Sequence, residues 1–168
     1  MRADLREASP RYQALLQLLR TADTVWNASS AFFERWDLSP SQFNVLNLLR
    51  ATPQGLSQTD LSRELIMHRS NLTGLVDRLE KRGLVARHDV ATDRRAYRVV
   101  LTRAGARLVK NILPHYYKGA DRIWAALSAK RAATLRTDLQ QAAENTRRIA
   151  AELPQKFIPR KRIYETKS

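Results

Sequence analysis

Apolar residues recur every three or four positions along most of the chain, which predicts a mainly helical protein. The first stretch follows Ser9-Pro10, a helix cap and a first-turn proline, and predicts a helix of about 25 residues, roughly 40 Å long. Its apolar positions are Leu15, Leu18, Ala22, Val25, Phe32 and Trp36, widened by Leu19, Trp26 and Phe33. A stripe this wide is either ordinary core or, in part, a contact with a second copy of the chain.

Two capping boxes predict the next helices. Ser39-Pro40-Ser41-Gln42 predicts a helix that continues to about Arg50, and Ser57-Gln58-Thr59-Asp60 predicts a short helix through Leu65. A third helix follows almost at once and ends at Gly83. It is amphipathic, because one face carries Leu72, Leu75, Val76 and Leu79. Two short helices joined by a tight turn predict a helix-turn-helix.

After Gly83 the pattern changes from helical to extended. Leu84-Val85 and Tyr97 to Leu101 predict two antiparallel strands, with a turn between Asp89 and Asp93 and a basic loop, Arg94-Arg95, near the tip. The sequence therefore predicts a small β-hairpin wing beside the helix-turn-helix.

The C-terminal third predicts two more helices. Thr102 is a suitable cap for the first, in which Pro114 should cause a kink or an interruption before the helix continues from Tyr116 to Leu127. Ser128 caps the last helix, which Pro154 ends. A second, mainly apolar stripe steps by three and four along this helix and consists of Ala132, Leu135, Leu139, Ala142, Thr146, Ile149 and Leu153. A winged domain of about 65 residues could not bury two such stripes alone, which favours a dimer.

These elements predict four regions. Residues 1–36 and 104–153 supply the long helices of a dimerisation region, residues 37–103 form the winged helix-turn-helix domain, and residues 154–168 form a basic tail.

Composition narrows the function. Thirty basic and sixteen acidic residues give a formal charge of +14, which favours a polyanionic partner, nucleic acid rather than a membrane surface. The absence of cysteine excludes disulfides and thiol chemistry, and no signal peptide or membrane span is predicted, so we expect a cytoplasmic protein. The three histidines lie on different elements without metal-ligand spacing, and no catalytic motif is recognisable. We therefore expect neither a metal, a cofactor nor an enzyme.

A family resemblance rests on several motifs in combination. They are Leu56-Ser57-Gln58-Thr59-Asp60-Leu61-Ser62, Leu75-Val76-Asp77-Arg78-Leu79-Glu80-Lys81-Arg82-Gly83-Leu84-Val85, Asp93-Arg94-Arg95-Ala96 and Leu101-Thr102-Arg103-Ala104-Gly105. The chain closely resembles the MarR family of winged helix-turn-helix transcriptional regulators. The resemblance implies a homodimer with interlocked terminal helices that binds a near-palindromic operator in double-stranded DNA. It also implies that a small aromatic acid or phenol can release the DNA.

The DNA-contacting residues divide into three groups. The start of the recognition helix should enter the major groove, with candidate contacts from His68, Arg69, Ser70, Asn71, Thr73 and Gly74, of which Arg69 and Asn71 lead. The resemblance implies that Arg94 reaches the minor groove, held by Asp93, while Arg95 is either a DNA contact or structural. Ser57, Gln58, Thr59 and Lys81 are expected to contact phosphates or to cap helices. His68 is at the predicted N-cap of the recognition helix, where the family usually has Ser, Thr or Asp. Gly74 is at a position where the family commonly has a longer polar or basic side chain.

The effector site is the least constrained by the sequence. Candidate lining residues are Trp26, Phe33, Trp36, His115 and Tyr116, whose alternative role is ordinary core. The sequence therefore predicts a homodimeric repressor that a small aromatic or phenolic ligand releases. The alternative is a ligand-independent structural DNA-binding protein or an activator.

Overall fold

A computed structural model describes residues 9–65, 72–90 and 93–152. Over these ranges the protein is mainly helical with one small antiparallel sheet, which confirms the predicted fold class. The elements in chain order are α1 Pro10–Glu34, α2 Pro40–Ala51, β1 Leu56–Ser57, α3 Gln58–Glu64, α4 Leu72–Lys81, β2 Val85–Val90, β3 Asp93–Leu101, α5 Arg103–Ile123 and α6 Ala129–Glu152. The chain divides into two compact units, residues 1–115 and 116–168.

Hydroxyl caps begin the helices where the sequence predicts them. The Ser9 hydroxyl accepts the Tyr12 backbone N–H at 3.3 Å at the start of α1. At the start of α2 the capping box is complete, because Ser39 Oγ accepts the Gln42 N–H at 3.2 Å and Gln42 Oε1 accepts the Ser39 N–H at 2.8 Å. Thr102 and Ser128 cap α5 and α6, because their hydroxyls accept the backbone N–H groups of Gly105 and Arg131. These bonds satisfy donors that a helix start otherwise leaves unpaired.

Helix α4 has the predicted apolar face and the predicted stop. Leu72, Leu75, Val76 and Leu79 are all buried. The helix ends in a Schellman motif, in which the Leu84 N–H bonds the Leu79 carbonyl at 3.0 Å and the Gly83 N–H bonds the Glu80 carbonyl at 2.8 Å. Gly83 has φ +66°, a left-handed conformation that glycine adopts without steric cost.

The sheet is larger than the predicted hairpin. A two-residue strand, β1, pairs with β3 through Leu56 opposite Val99 and Ser57 opposite Arg98, so the strand order is β1-β3-β2. Strand β2 extends to Val90, and its register on β3 shifts between Asp89, which is opposite Tyr97, and Val90, which is opposite Asp93.

The prediction that Arg94 and Arg95 lie in a loop is wrong, because the backbone of both belongs to β3. Asp89 is opposite Tyr97 and Val90 is opposite Asp93, so β3 is paired with β2 on both sides of this basic stretch and the strand continues through it.

Helix α5 continues through Pro114 and ends at Ile123. The predicted alternative of an interruption at Pro114 is therefore wrong, while a kink there stays a prediction. A proline removes one backbone donor, and the remaining bonds of a long helix hold the turns on either side together. A turn rather than a helix follows Ile123, with the Leu127 N–H bonded to the Trp124 carbonyl at 2.8 Å, so the helix is four residues shorter than predicted.

The core of the first unit joins helices α1 to α5 and the sheet. Phe33 of α1 stacks on Phe43 of α2 with ring centroids 4.4 Å apart. Around this pair lie fully buried side chains, among them Leu46, Leu49, Leu61, Val76, Leu79, Val99 and Ile112. In the second unit every described residue of α6 retains solvent exposure. The first unit therefore has its own core, whereas α6 has no buried residue among those the structure describes.

Candidate nucleic-acid interface

The described part of the chain contains two of the six residues predicted for the major groove. Thr73 is exposed in the first turn of described α4, and Gly74 follows it. His68, Arg69, Ser70 and Asn71 lie outside the described residues. Asp93, Arg94 and Arg95 have a described backbone in β3, and their side chains are outside the described part.

Of the predicted phosphate contacts, Ser57 is a helix cap. Its hydroxyl accepts the Asp60 N–H at 3.1 Å and donates to the Asp60 carboxylate at 2.6 Å. That hydroxyl bond holds the pKa of Asp60 below its usual value. The predicted capping box is therefore wrong in its second bond, because the Asp60 carboxylate accepts from the Ser57 hydroxyl and not from the Ser57 backbone N–H. Thr59 on α3 and Lys81 near the end of α4 are exposed, so both remain predicted phosphate contacts.

Gln58, the remaining predicted phosphate contact, joins three elements. The Tyr97 hydroxyl of β3 donates to Gln58 Oε1, and Gln58 Nε2 donates to the Thr73 hydroxyl of α4. Gln58 and Tyr97 are both half-buried, and Thr73 is exposed. The arrangement links the wing, the first helix of the helix-turn-helix and the recognition helix through side chains alone.

Arg87 fixes the hairpin on the recognition helix. Its guanidinium pairs with the carboxylates of Asp77 and Glu80, and the Arg87 backbone N–H donates to Glu80 Oε1 at 3.1 Å. The guanidinium also lies 5.1 Å from the centre of the Tyr97 ring. The bond to Asp77 is the main cause that raises the pKa of Arg87, with a side-chain hydrogen bond to Tyr97 contributing. Because the single positive charge of Arg87 offsets one of the two carboxylate charges beside it, it reduces the negative charge on this part of α4.

Two further arginines hold the backbone of the winged region. Arg98 of β3 donates to the carbonyls of Gln54 and Gly55, at 3.0 and 2.7 Å. Arg82, just after α4, donates to the Trp36 carbonyl at 3.1 Å and pairs with the Asp37 carboxylate at 3.5 Å. Asp37 has φ +53°, and the Arg82 guanidinium also bonds its carbonyl. Part of the positive charge in this region therefore belongs to arginines that hold the backbone in place.

The structural roles of Arg82, Arg87 and Arg98 were not predicted from the sequence. One signal was present for Arg87: Asp77 and Glu80 are three residues apart on a helix that should face a polyanion, so a cation is required beside them. No local pattern signals Arg98 or Arg82, because their carbonyl acceptors lie 43 to 46 residues away along the chain.

The residues predicted for the effector site occupy different environments. Phe33 is 1% exposed in the core, Trp26 is half-buried on α1, and Tyr116 belongs to the second unit. Trp36 and His115 are brought together, with ring centroids 5.9 Å apart. This pair is the part of the predicted site that the first unit assembles.

An open cavity of about 570 Å³ also lies in the first unit, between α1 and the start of α2. Its lining consists of Asn27, Ser30, Ala31, Glu34, Asp37, Leu38, Ser39, Pro40 and Gln42. None of the five residues predicted for the effector site is among them. The Glu34 carboxylate in this lining disfavours an anion, whereas the charge of the Asp37 carboxylate is balanced by Arg82.

Among the described residues, no helix is both long and apolar enough to cross a membrane. The same residues include no group of three or more histidine, aspartate or glutamate side chains that could hold a metal ion.

Comparisons with known proteins agree with this architecture. A model of the MarR family matches residues 36–96. The HTH-type transcriptional regulator PapX of Escherichia coli is 30% identical over 120 residues, which cover 70% of this chain and 73% of PapX. The crystal structure of the S. aureus MepR–DNA complex has a similar fold, with a TM-score of 0.69 at 21% identity, covering 83% of this chain and 99% of MepR. The fold is also similar to that of Bordetella bronchiseptica BpsR, in a structure that concerns the regulation of its DNA binding by 6-hydroxynicotinic acid. The TM-score is 0.64 at 23% identity, and the match covers 76% of this chain and 98% of BpsR.

Proposed function

This chain belongs to the MarR family, and from that premise we propose that it is a homodimeric, sequence-specific DNA-binding repressor of transcription. The observation that carries the proposal is the attachment of the wing to the recognition helix through Arg87, Asp77 and Glu80. A recognition helix and a wing must hold a fixed relative geometry if they are to enter adjacent grooves of one duplex. The protein acts by binding rather than by catalysis, and occupancy of promoter DNA blocks transcription.

The charge supports DNA as the partner. A formal charge of +14 attracts a polyanion, and the buried leucine face of α4 leaves its polar face outward. Basic, hydroxyl and amide side chains predicted at the helix start provide donors for base edges; they are Arg69, Ser70, Asn71 and Thr73. Arg94 provides a guanidinium for the minor groove, with Asp93 and Arg95 beside it in the sequence.

The test is selection of bound duplexes from a random DNA library, followed by competition between the selected duplex and random DNA at one salt concentration. A sequence-specific regulator should prefer the selected duplex by about 10³-fold or more. A ratio near one contradicts the proposal. That outcome supports a structural DNA-binding protein that coats or bends DNA without a ligand, an alternative that the large positive charge favours. Reporter transcription from the selected site distinguishes a repressor from an activator.

The homodimer is proposed from the uncovered stripes of the long helices. On α1, Leu15 is 52% and Leu19 59% exposed; in the second unit, Ile149 of α6 is 56% exposed. Contiguous exposed apolar residues on a helix mark an association surface, and a second copy presents a matching stripe under two-fold symmetry.

Sedimentation of the wild type should therefore give a dimer, and a Leu15→Glu/Leu19→Glu variant should give a monomer. Gln17→Glu introduces one acidic residue at an exposed position of the same helix outside the stripe, and it should leave the dimer intact. A monomeric wild type contradicts the dimer.

The effector is proposed to be a small aromatic acid or phenol that releases the DNA. Support comes from the 6-hydroxynicotinic acid named for BpsR and from a cavity in the size range of ligand sites. The two candidate sites differ in charge. The Glu34 carboxylate lines the cavity and disfavours an acid, whereas a ring N–H of His115, beside Trp36, can donate to one.

The corresponding test measures DNA release by 6-hydroxynicotinic acid and by phenol, each compared with cyclohexanol as a non-aromatic control. If 6-hydroxynicotinic acid releases DNA from the wild type and not from Trp36→Ala, the result supports the site formed by Trp36 and His115. If phenol releases DNA from the wild type and not from Ser30→Leu, the result supports the cavity. No release by either compound at millimolar concentration contradicts the effector proposal and leaves DNA binding unaffected.

A further inference from the structure

The hydrogen bonds from Tyr97 to Gln58 and from Gln58 to Thr73 run in one direction, and we call these two bonds the relay. A tyrosine hydroxyl has a single proton, and Tyr97 donates it to Gln58 Oε1. The amide nitrogen of Gln58 consequently faces the other way and donates to the Thr73 hydroxyl oxygen.

This direction determines what Thr73 can offer to a ligand. A threonine hydroxyl has one proton and accepts through its oxygen lone pairs. Because Gln58 occupies Thr73 as an acceptor, the hydroxyl proton is left to point away from Gln58. Thr73 is exposed, and it lies in the first turn of described α4, the end of a recognition helix that enters the major groove.

Three observations fix the relay in place. Gln58 is the first residue of α3, whose start is capped by Ser57. The Tyr97 ring lies against the Arg87 guanidinium, which is itself paired with Asp77 and Glu80. The side chain that orients Thr73 is therefore held by groups on α3, α4 and the sheet.

We propose that Tyr97 and Gln58 are positioning residues that hold the Thr73 hydroxyl as a hydrogen-bond donor to an acceptor on a base edge in the major groove. The inference rests on the proposed function and deepens it. It means that Tyr97, a residue of the wing strand β3, contributes to the preference for one base pair. The acceptors available in the major groove are guanine O6 and N7, adenine N7 and thymine O4.

The experiment uses the full-length protein and the duplex selected by the wild type. Affinity is measured for that duplex and for duplexes with single base-pair substitutions along the site, for the wild type, Thr73→Val, Tyr97→Phe and the double variant. Thr73→Val removes the hydroxyl at nearly constant volume. Tyr97→Phe removes the relay hydroxyl and keeps the ring against Arg87.

Thr73→Val should lower the preference at one base pair by about 2- to 10-fold, the range that one hydrogen bond supplies. Tyr97→Phe should lower the preference at the same base pair. The double variant should show no loss beyond that of Thr73→Val, because the relay acts only through that hydroxyl.

Two controls separate positioning from folding. Thr73→Ser retains the hydroxyl and should retain most of the preference. Thr137→Val makes the same chemical change at an exposed threonine on α6 and should leave the preference unchanged. Thermal unfolding of each variant is measured in parallel, so that a loss of affinity from unfolding is recognised and restored by working at lower temperature.

Three results overturn the relay. They are additive losses in the double variant, losses at different base pairs, and a Thr73→Val variant with unchanged preference, as expected if the hydroxyl donates to its own helix backbone. A uniform loss on every duplex also overturns it, because that loss identifies a phosphate contact. A wild type without preference for the selected duplex contradicts the proposed function itself, whereas a wild type that keeps its preference while the relay variants behave additively contradicts the relay alone.

Discussion

At the scale of single residues, Arg87 shows how a charged side chain can be structural in a basic DNA-binding region. It contacts two carboxylates of α4 and a tyrosine ring of β3, and its side chain is 24% exposed. Replacement by lysine keeps the charge and loses the planar fork. Arg87→Lys should lower the free energy of unfolding by about 1 to 2 kcal/mol in urea denaturation.

Arg63→Lys is the matched control for Arg87→Lys. Arg63 pairs with Asp60 at 3.7 Å, and both side chains are well exposed, so the change should be within about 0.5 kcal/mol of zero. Equal losses of unfolding free energy in the two variants would mean that the planar fork of Arg87 does not contribute to stability.

Asn71 and Arg94 are expected to contribute differently to DNA binding. Asn71→Ala should reduce the preference for operator over random DNA, because a base-edge contact carries sequence information. Arg94→Ala should weaken operator binding without dissociating the dimer. Fluorescence titrations at matched salt test both variants. A loss that is uniform across sequences would reclassify Asn71 as a backbone contact, and an unchanged affinity would remove Arg94 from the interface.

Two glycines of α5 should respond to alanine with opposite signs. A Cβ on Gly105 would lie 2.1 Å from the Leu84 carbonyl oxygen, so Gly105→Ala must displace backbone and should cost about 1 to 3 kcal/mol. A Cβ on Gly119 meets nothing within 4 Å, and Gly119→Ala should stabilise the helix by about 0.5 to 1 kcal/mol. Thermal unfolding measures both, and a loss of stability in Gly119→Ala would contradict the helical account.

Residue roles were predictable where they depend on neighbours in the chain. The buried face of α4 follows from helical spacing, and so does Gly83 as its stop. Gln58 was predicted as a phosphate contact or a cap, yet its partners, Thr73 and Tyr97, are 15 and 39 residues away. Contacts of that separation depend on tertiary packing, which no local pattern encodes.

At the scale of elements, serine caps located the helix starts, and the strands were harder to predict. A capping box has a fixed local spacing, so Ser39 and Gln42 are recognisable in the sequence. Strand β1 is two residues long and too short for any period, and it forms only because β3 is beside it. The hairpin was predicted too short because its outer part lacks an apolar face.

The cap of α2 gives a prediction at this scale. Ser39→Ala removes the side-chain acceptor for the Gln42 N–H at a half-buried helix start, and it should lower the free energy of unfolding by about 1 kcal/mol. Ser39→Thr should retain most of that stability. Ser41→Ala, two positions on in the same turn, should be neutral or slightly stabilising, since alanine is the better helix former. Urea denaturation distinguishes the three, and comparable losses at positions 39 and 41 would reject the cap.

At the scale of the whole molecule, the mainly helical fold with a small wing was predictable because periodicity and turn signals agree along most of the chain. The environment of the residues predicted for the effector site was not predictable from the sequence. Aromatic residues at helical spacing can face a core, a cavity or a second subunit. Phe33 lies in the core, while Trp36 is beside His115.

The distribution of charge over the molecule separates a specific regulator from a protein that coats DNA. Residues 154–168 contain five basic residues and one acidic residue, and the remainder of the +14 charge lies elsewhere in the chain. For a regulator that contacts DNA through its winged domains, truncation after residue 153 should leave the preference for operator over random DNA intact. If the tail contacts phosphates, the slope of log affinity against log salt should become shallower by up to about 4 per chain.

Titrations of the full-length and truncated proteins at several salt concentrations, with operator and with random duplexes, test this. A sequence preference that survives truncation alongside a reduced salt slope assigns the tail to nonspecific attraction, because counterion release carries no sequence information. If truncation instead abolishes binding to both duplexes at low salt, the winged domains do not bind DNA on their own and the tail is the principal DNA-binding segment. A preference that disappears while affinity for random DNA is retained would place base recognition in residues 154–168, contrary to the assignment of that role to α4.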